Sequence, residues 1–274
     1  MHIVFVEPCF PANQKQFVRA LRQAGATITG IGERPKDALD AELRAWMIHY
    51  EQVRSVVDVP TVVERVRAIH RRLPIGRLEA PVEAHMMAAA QIREELGIPG
   101  TSVRTTFLCR DKPSMKEVLR AADVPCARST GGGDRDELVA FAGEVGFPLI
   151  VKPRSGAGAS GTHRADDLQG LHRILDESGI GRGGQVAIEE FIEGHEGFYD
   201  TITIGGSVAH EFASHYFPNV LEAMRTRWIS PQIVTTNRIA TAPAYQEVLE
   251  MGRTVIDALE IDTSATHMEW FFGP

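Results

Sequence analysis

Pro148-Leu149-Ile150-Val151-Lys152-Pro153 runs straight into Arg154-Ser155-Gly156-Ala157-Gly158-Ala159-Ser160-Gly161-Thr162, and the reading of this stretch decides the fold. Its first half is a short apolar run bounded by prolines, which predicts a buried strand. Its second half carries glycines at 156, 158 and 161 and serines at 155 and 160, so bare backbone N–H groups can approach an anion there. Lys152 closes the strand, which holds its ammonium at the mouth of the loop as a point charge facing the same anion. The bland alternative is a solvated lysine beside a linker.

Two phosphate motifs fit this loop poorly. Gly156-x-Gly158-x-x-Gly161 satisfies the dinucleotide pattern, with Asp176-Glu177 downstream, but that pattern should follow the first strand of a domain and open into a helix. Here residues 162–164 read as another strand. A Walker A loop needs a lysine between Gly161 and Thr162, and none stands there.

Working outward, the first hundred residues alternate strands and helices. Strands are expected at 3–6 and 27–30, and helices at 14–23, 61–72 and 82–96, the last ended by Gly97-Ile98-Pro99-Gly100. Met86 and Met87 on that last helix read as packing residues. This arithmetic predicts a mostly parallel sheet. Beyond residue 111 come helices at 113–122, 134–145 and 167–176, strands at 149–151, 162–164 and 186–188, and a hairpin signal at Gly205-Gly206-Ser207. The fold class expected is therefore α/β followed by α+β, with a Rossmann-like domain over 1–105 and a second domain over 106–274.

Composition narrows the functional classes. With 274 residues, 43% hydrophobic and 24% charged, the chain has globular composition. A formal net charge of −7 excludes a surface built to neutralise nucleic-acid phosphates. Cys9, Cys109 and Cys126 supply neither a disulfide framework nor a metal knuckle, and no signal peptide or membrane segment is legible, so a cytoplasmic protein is expected. His210 and His215, five apart on an extended segment, face opposite sides and make a poor zinc pair.

The ordered set Arg110-Asp111-Lys112, Pro148–Pro153, the glycine loop, Glu189-Glu190-Phe191-Ile192-Glu193-Gly194-His195-Glu196 and His267-Met268-Glu269 resembles the ATP-grasp superfamily, and within it the L-amino-acid ligase and biotin-carboxylase-like group. The resemblance covers nearly the whole chain. It implies an ATP-grasp fold with a Rossmann-like pre-ATP-grasp domain, ATP and Mg²⁺ as cofactors, and small-molecule carboxylate and amine substrates, with assembly as a homodimer left open. Carried over position by position, Lys112 and Lys152 would contact phosphates, and Ser155, Gly156, Gly158, Ser160 and Gly161 would belong to the loop closing over them. Glu189, Glu190 and Ile192 would line adenine, Glu196 would accept from the ribose, and Glu269 would hold Mg²⁺. Arg225, Arg227 and His267 are further candidates near the metal end, with solvated or packed roles as their ordinary readings, and Glu79 and Glu83 are candidates for the substrate. The family's next strand, bearing a second metal carboxylate, is not in the sequence, which suggests a fragment. The implied activity is phosphorylation of a carboxylate to an acyl phosphate that an amine attacks. The alternatives are bicarbonate activation as in biotin carboxylase, ATP binding without turnover and, on the glycine pattern alone, an NAD-dependent oxidoreductase.

Overall fold

The computed structural model describes residues 1–154, 161–226 and 229–273, and for Arg225 the backbone alone. The chain divides into two units, Met1–Phe107 and Leu108–Pro274.

The first unit contains strands β1 (His2–Val6), β2 (Thr27–Gly32), β3 (His49–Gln52) and β4 (Arg77–Glu79), with helices α1 (Gln14–Gln23), α2 (Ala41–Trp46), α3 (Val59–Arg72) and α4 (Glu83–Leu96). Its strands pair in the order β3-β2-β1-β4, all parallel. The alternation of β1 explains the layering: Val4 and Val6 face a cluster with Val62, Val66, Ala89 and Ile92 of α3 and α4. Ile3 and Phe5 point the other way, toward Val18 of α1 and Leu43 of α2. Gly97, at φ 64°, ends α4 in the left-handed conformation that only glycine takes without cost.

The second unit opens with α5 (Val103–Arg110), which runs across the boundary, and α6 (Lys112–Ala121). One antiparallel sheet has the order β5-β8-β6-β7, from β5 (Ser129–Gly132), β6 (Leu149–Pro153), β7 (His163–Ala165) and β8 (Val186–Glu190). Helices α7 (Arg135–Val145) and α8 (Leu168–Glu177) cover it through Leu138, Leu171 and Leu175. The second sheet, order β11-β10-β9-β12, is built from β9 (His195–Ile204), β10 (Ser207–Phe217), β11 (Gln232–Thr236) and β12 (Ser264–Phe272). A short helix α9 (Val220–Thr226) follows β10, and α10 (Gln246–Ala258) packs with α6 against the back of this sheet.

The sequence reading anticipated the α/β-then-α+β order, the parallel first sheet and the hairpin, whose turn residues Gly205 and Gly206 both have positive φ, the requirement of a two-residue primed turn. It missed β3, β4, β5, β11 and α10, and it placed the 186 strand's end too early. Glu189 and Glu190 lie within β8 rather than in a connector.

Candidate functional site

Three elements deliver charged side chains to one buried point. Lys152 closes β6 and Glu189 lies on β8, and since Lys152 pairs with Ala187, two residues before Glu189, both side chains share one face of the sheet. The Glu189 carboxylate binds Lys152 Nζ through Oε1 and Lys116 Nζ of α6 through Oε2. The three side chains are only 12–17% exposed. Burial by itself would raise the Glu189 carboxyl, but the two ammoniums hold it below the usual carboxylate range. Burial pushes the Lys116 ammonium down, Glu189 opposes that, and the neighbouring Lys152 adds to it. Two buried positive charges share one negative charge, so the cluster carries a net positive charge in a low-dielectric setting, which favours an incoming anion.

The same region is stapled at its entrance. Asp111 caps α6 by accepting from Ser114 N–H at 3.1 Å, and Arg154 donates to the same carboxylate, Nε to Oδ2 at 2.7 Å. Desolvation raises the Asp111 carboxyl, but Arg154 and Ser114 outweigh it and hold the group below its ordinary value. The residue that starts the glycine loop is thus tied to the start of the helix that carries Lys116. Glu190, pointing to the opposite face from Glu189, accepts from Arg128 Nε at 2.8 Å and from its backbone N–H at 2.9 Å. Arg164 sits over the Phe191 ring at 4.5 Å.

The second sheet presents a row of polar groups on one face. Asp200 and His267 are directly paired across β9 and β12, and Glu269 pairs with Phe198, so Glu196, Phe198 and Asp200 share a face with His267 and Glu269. His267 Nδ1 and Asp200 Oδ1 are 2.7 Å apart, and Asp200, by hydrogen bonding, raises the imidazole's pKa. Glu196 is 5% exposed and accepts Val220 N–H at 2.6 Å. Burial raises its carboxyl, and the charge of Glu269 adds to the effect. Glu269 itself is exposed. The Glu196 and Glu269 carboxylates lie on one face of neighbouring strands, a setting that fits a divalent cation with oxygen ligands. Among the described residues no three such side chains converge, so other oxygens would have to complete the coordination.

The remaining sequence candidates fall as follows. Lys112 is the first residue of α6, one turn before Lys116 and on the same side of the helix. Ile192 is half-buried in the connector between β8 and β9. Gly161 is exposed, at φ 71°. Ser155, Gly156, Gly158 and Ser160 lie outside the described residues, as do Arg227 and Trp228, and Arg225 lies on α9 with its side chain undescribed. Glu79 and Glu83 belong to the first unit, at the end of β4 and the start of α4. Sequence reasoning missed Lys116. Its signal was the spacing: Lys112 and Lys116 lie four apart on a helix whose Met115 and Leu119 turn inward. A cleft of about 400 Å³ lined by His163, Arg164, Asp167, Arg173 and Glu177 opens at the edge of the β6–β7 pair, and neither Lys116, Lys152 nor Glu189 lines it.

This architecture, with a lysine-bearing antiparallel sheet joined through a short hinge to a second sheet that ends in a carboxylate strand, is the ATP-grasp fold. Residues 111–198 match the family model described as the ATP-binding domain of the carbamoyl-phosphate synthase L chain. Among characterised relatives, the L-arginine-specific L-amino acid ligase of Bacillus subtilis is 25% identical over 231 residues, 82% of this chain and 54% of that ligase. Among solved structures, an L-amino acid ligase from Bacillus licheniformis superposes with a TM-score of 0.74 at 18% identity, over 99% of this chain and 63% of that one. The biotin carboxylase domain of the Hydrogenobacter thermophilus 2-oxoglutarate carboxylase, solved with MgADP, ADP and bicarbonate, gives 0.69 at 20% identity, over 99% and 61%. The chain thus spans about half the length of the curated ligase it matches. No described helix is long and apolar enough to cross a membrane.

Proposed function

We propose that this chain binds ATP with Mg²⁺ and serves a carboxylate–amine ligase, in which a substrate carboxylate is activated as an acyl phosphate and then attacked by an amine. The observation that carries the reading is the pairing of Lys116 and Lys152 on a single buried carboxylate near the end of β6. A polyphosphate supplies the second negative charge that two buried ammoniums lack, and Lys152 and Lys116 would hold it from two sides, with Lys112 one turn away. The β8–β9 connector, residues 191–194, would receive the nucleoside through its backbone groups and the Ile192 side chain, since the Glu190 carboxylate at the end of β8 is taken by Arg128. Glu269 would hold Mg²⁺, which supplies neutralisation of charge on the transferred phosphoryl group.

The chemistry then consists of positioning and charge neutralisation. A carboxylate oxygen attacks the γ-phosphorus, the bond to the β–γ bridging oxygen breaks and ADP leaves. The amine nitrogen next attacks the acyl carbon, losing a proton as phosphate departs. His267, aligned by Asp200 two residues from Glu269, would meet a developing anion with an N–H donor. The amino-acid ligase among the relatives favours an amino acid as the carboxylate, with an amine or a second amino acid as the nucleophile.

The test is ADP release with a panel of L-amino acids, singly and in pairs, alongside bicarbonate, combined with ATP-induced thermal protection of the parent chain, Lys152→Ala and Lys116→Ala. Protection is expected for the parent and lost in both variants, and ADP release is expected to need an amino acid. Release driven by bicarbonate alone would instead assign the biotin-carboxylase-like activity. Protection without ADP under any condition would leave a nucleotide-binding module. If both variants are protected as well as the parent, the site assignment fails.

A further inference from the structure

The start of β9 is held by a side chain where a neighbouring strand runs out. The β9–β10 register ends at His215 opposite Gly197, and Pro218, which follows β10, has no N–H to extend the ladder. The backbone groups on either side of His195 are taken instead by Asn219. Its Nδ2 donates to the Gly194 carbonyl at 2.8 Å, and its Oδ1 accepts the Glu196 N–H at 3.0 Å. A primary amide offers a donor and an acceptor together, as a peptide group does, so Asn219 stands in for the missing strand. The next residue adds a third bond: Val220 N–H, at the start of α9, donates to Glu196 Oε2 at 2.6 Å.

Two adjacent residues thus fix Glu196 twice, Asn219 by its backbone and Val220 by its carboxylate. The chain cannot yield on its other side, because a Cβ on Gly194 would run into the Phe272 carbonyl oxygen of β12. Glu196 is 5% exposed, and its Oε1 carries no hydrogen bond among the described residues. With one oxygen anchored, the other accepts in a set direction, and an ionised carboxylate takes only donors. Glu196 is the second residue after the connector 191–194, on the strand face that also carries Glu269. Between a base on that connector and phosphates on the lysines lies a sugar, whose hydroxyls are donors of the kind Oε1 lacks.

We propose that Asn219 is a positioning residue that aims Glu196 at the ribose hydroxyls, so that the site selects ribonucleoside over deoxyribonucleoside triphosphates. The proposal rests on the reading of residues 191–194 as the nucleoside seat. Without the Asn219 amide the Glu196 backbone is released and its carboxylate turns with it. The hydroxyl contact then weakens, while the contacts of the connector and the lysines stay.

The experiment is calorimetry with ATP, 2′-deoxy-ATP and 3′-deoxy-ATP, each with Mg²⁺, on the full chain and on Asn219→Ala, Asn219→Asp and Arg253→Ala. The parent is expected to bind ATP at least about tenfold more tightly than one or both deoxy analogues, the loss of a hydrogen bond to a charged group. Asn219→Ala is expected to bring that ratio below about threefold, with affinity for the poorer analogue little changed. Asn219→Asp has the same shape and keeps only the acceptor, so it is expected to fold and give an intermediate ratio. Arg253→Ala breaks the pair with Glu211 on the opposite face of the same sheet. It is expected to lower Tm and leave the ratio unchanged, which separates the aim of Glu196 from the stability of the sheet. The proposal is overturned, with the nucleotide reading intact, if the parent binds all three nucleotides alike, if either Asn219 variant keeps the parent's ratio, or if Arg253→Ala loses it. Absence of ATP binding to the parent would overturn both.

Discussion

Glu189 holds one lysine on each carboxylate oxygen, and this links its ionisation to folding. Its pKa is lowered in the folded state, so its contribution to stability is complete above the unfolded carboxylate value and is lost as pH falls through the folded one. Glu189→Gln should therefore lower Tm at pH 7 and flatten the acid limb of a Tm-against-pH curve below about pH 4, and an unaltered acid limb would show that the pairing contributes nothing. Lys116→Met leaves Glu189 buried with one partner, a change that costs about 3 kcal/mol when a buried pair is broken. Denaturant unfolding should show that loss, and ATP affinity should fall by at least about tenfold if Lys116 meets the phosphates. Lys152 was legible in the sequence because an apolar strand ends on it beside a glycine loop. Lys116 was not, since its neighbours Met115 and Glu117 mark it as an ordinary amphipathic-helix lysine, and only the docking of α6 brings it to Glu189.

At the scale of elements, α6 and the segment just after β6 are linked by Asp111, which serves both as helix cap and as the partner of Arg154. Asp111→Ala should cost about 1 kcal/mol through the cap, with a small addition from Arg154, whose partial exposure weakens the pair. Asp111→Asn keeps the cap but loses the charge. Comparing the two by Tm and by ATP affinity separates helix stability from the charge pairing with Arg154, and equal effects of both substitutions would argue against a separate capping role. A second element-level constraint sits at the start of β9. A Cβ on Gly197 would lie 2.3 Å from the Trp270 ring and 2.4 Å from the Ser214 carbonyl oxygen. Gly197→Ala should thus destabilise by about 3 kcal/mol or more, measured by urea unfolding or by loss of soluble protein, because neither a backbone carbonyl nor a buried indole can move aside cheaply.

For the whole molecule, Lys116, Lys152, Glu189, Glu196 and Glu269 all lie in the second unit. A fragment beginning at Leu108 should therefore keep ATP-induced thermal protection, and loss of protection in a folded fragment would show that the nucleotide needs the first unit as well. The sequence by itself determined the alternation of strands and helices in the first hundred residues, the apolar β6 and the Gly205-Gly206 hairpin, because each is written in local periodicity or in a backbone conformation that few residues adopt. It left short or irregular strands such as β4 and β5 unread, since three or four residues carry no period. Only tertiary structure decided that Lys116 joins Lys152 on Glu189, that Glu190 turns to Arg128, and that Asp200 aligns His267. Those pairings join residues far apart in sequence, and their strength depends on burial, which removes the water that would otherwise screen each charge and satisfy each acceptor.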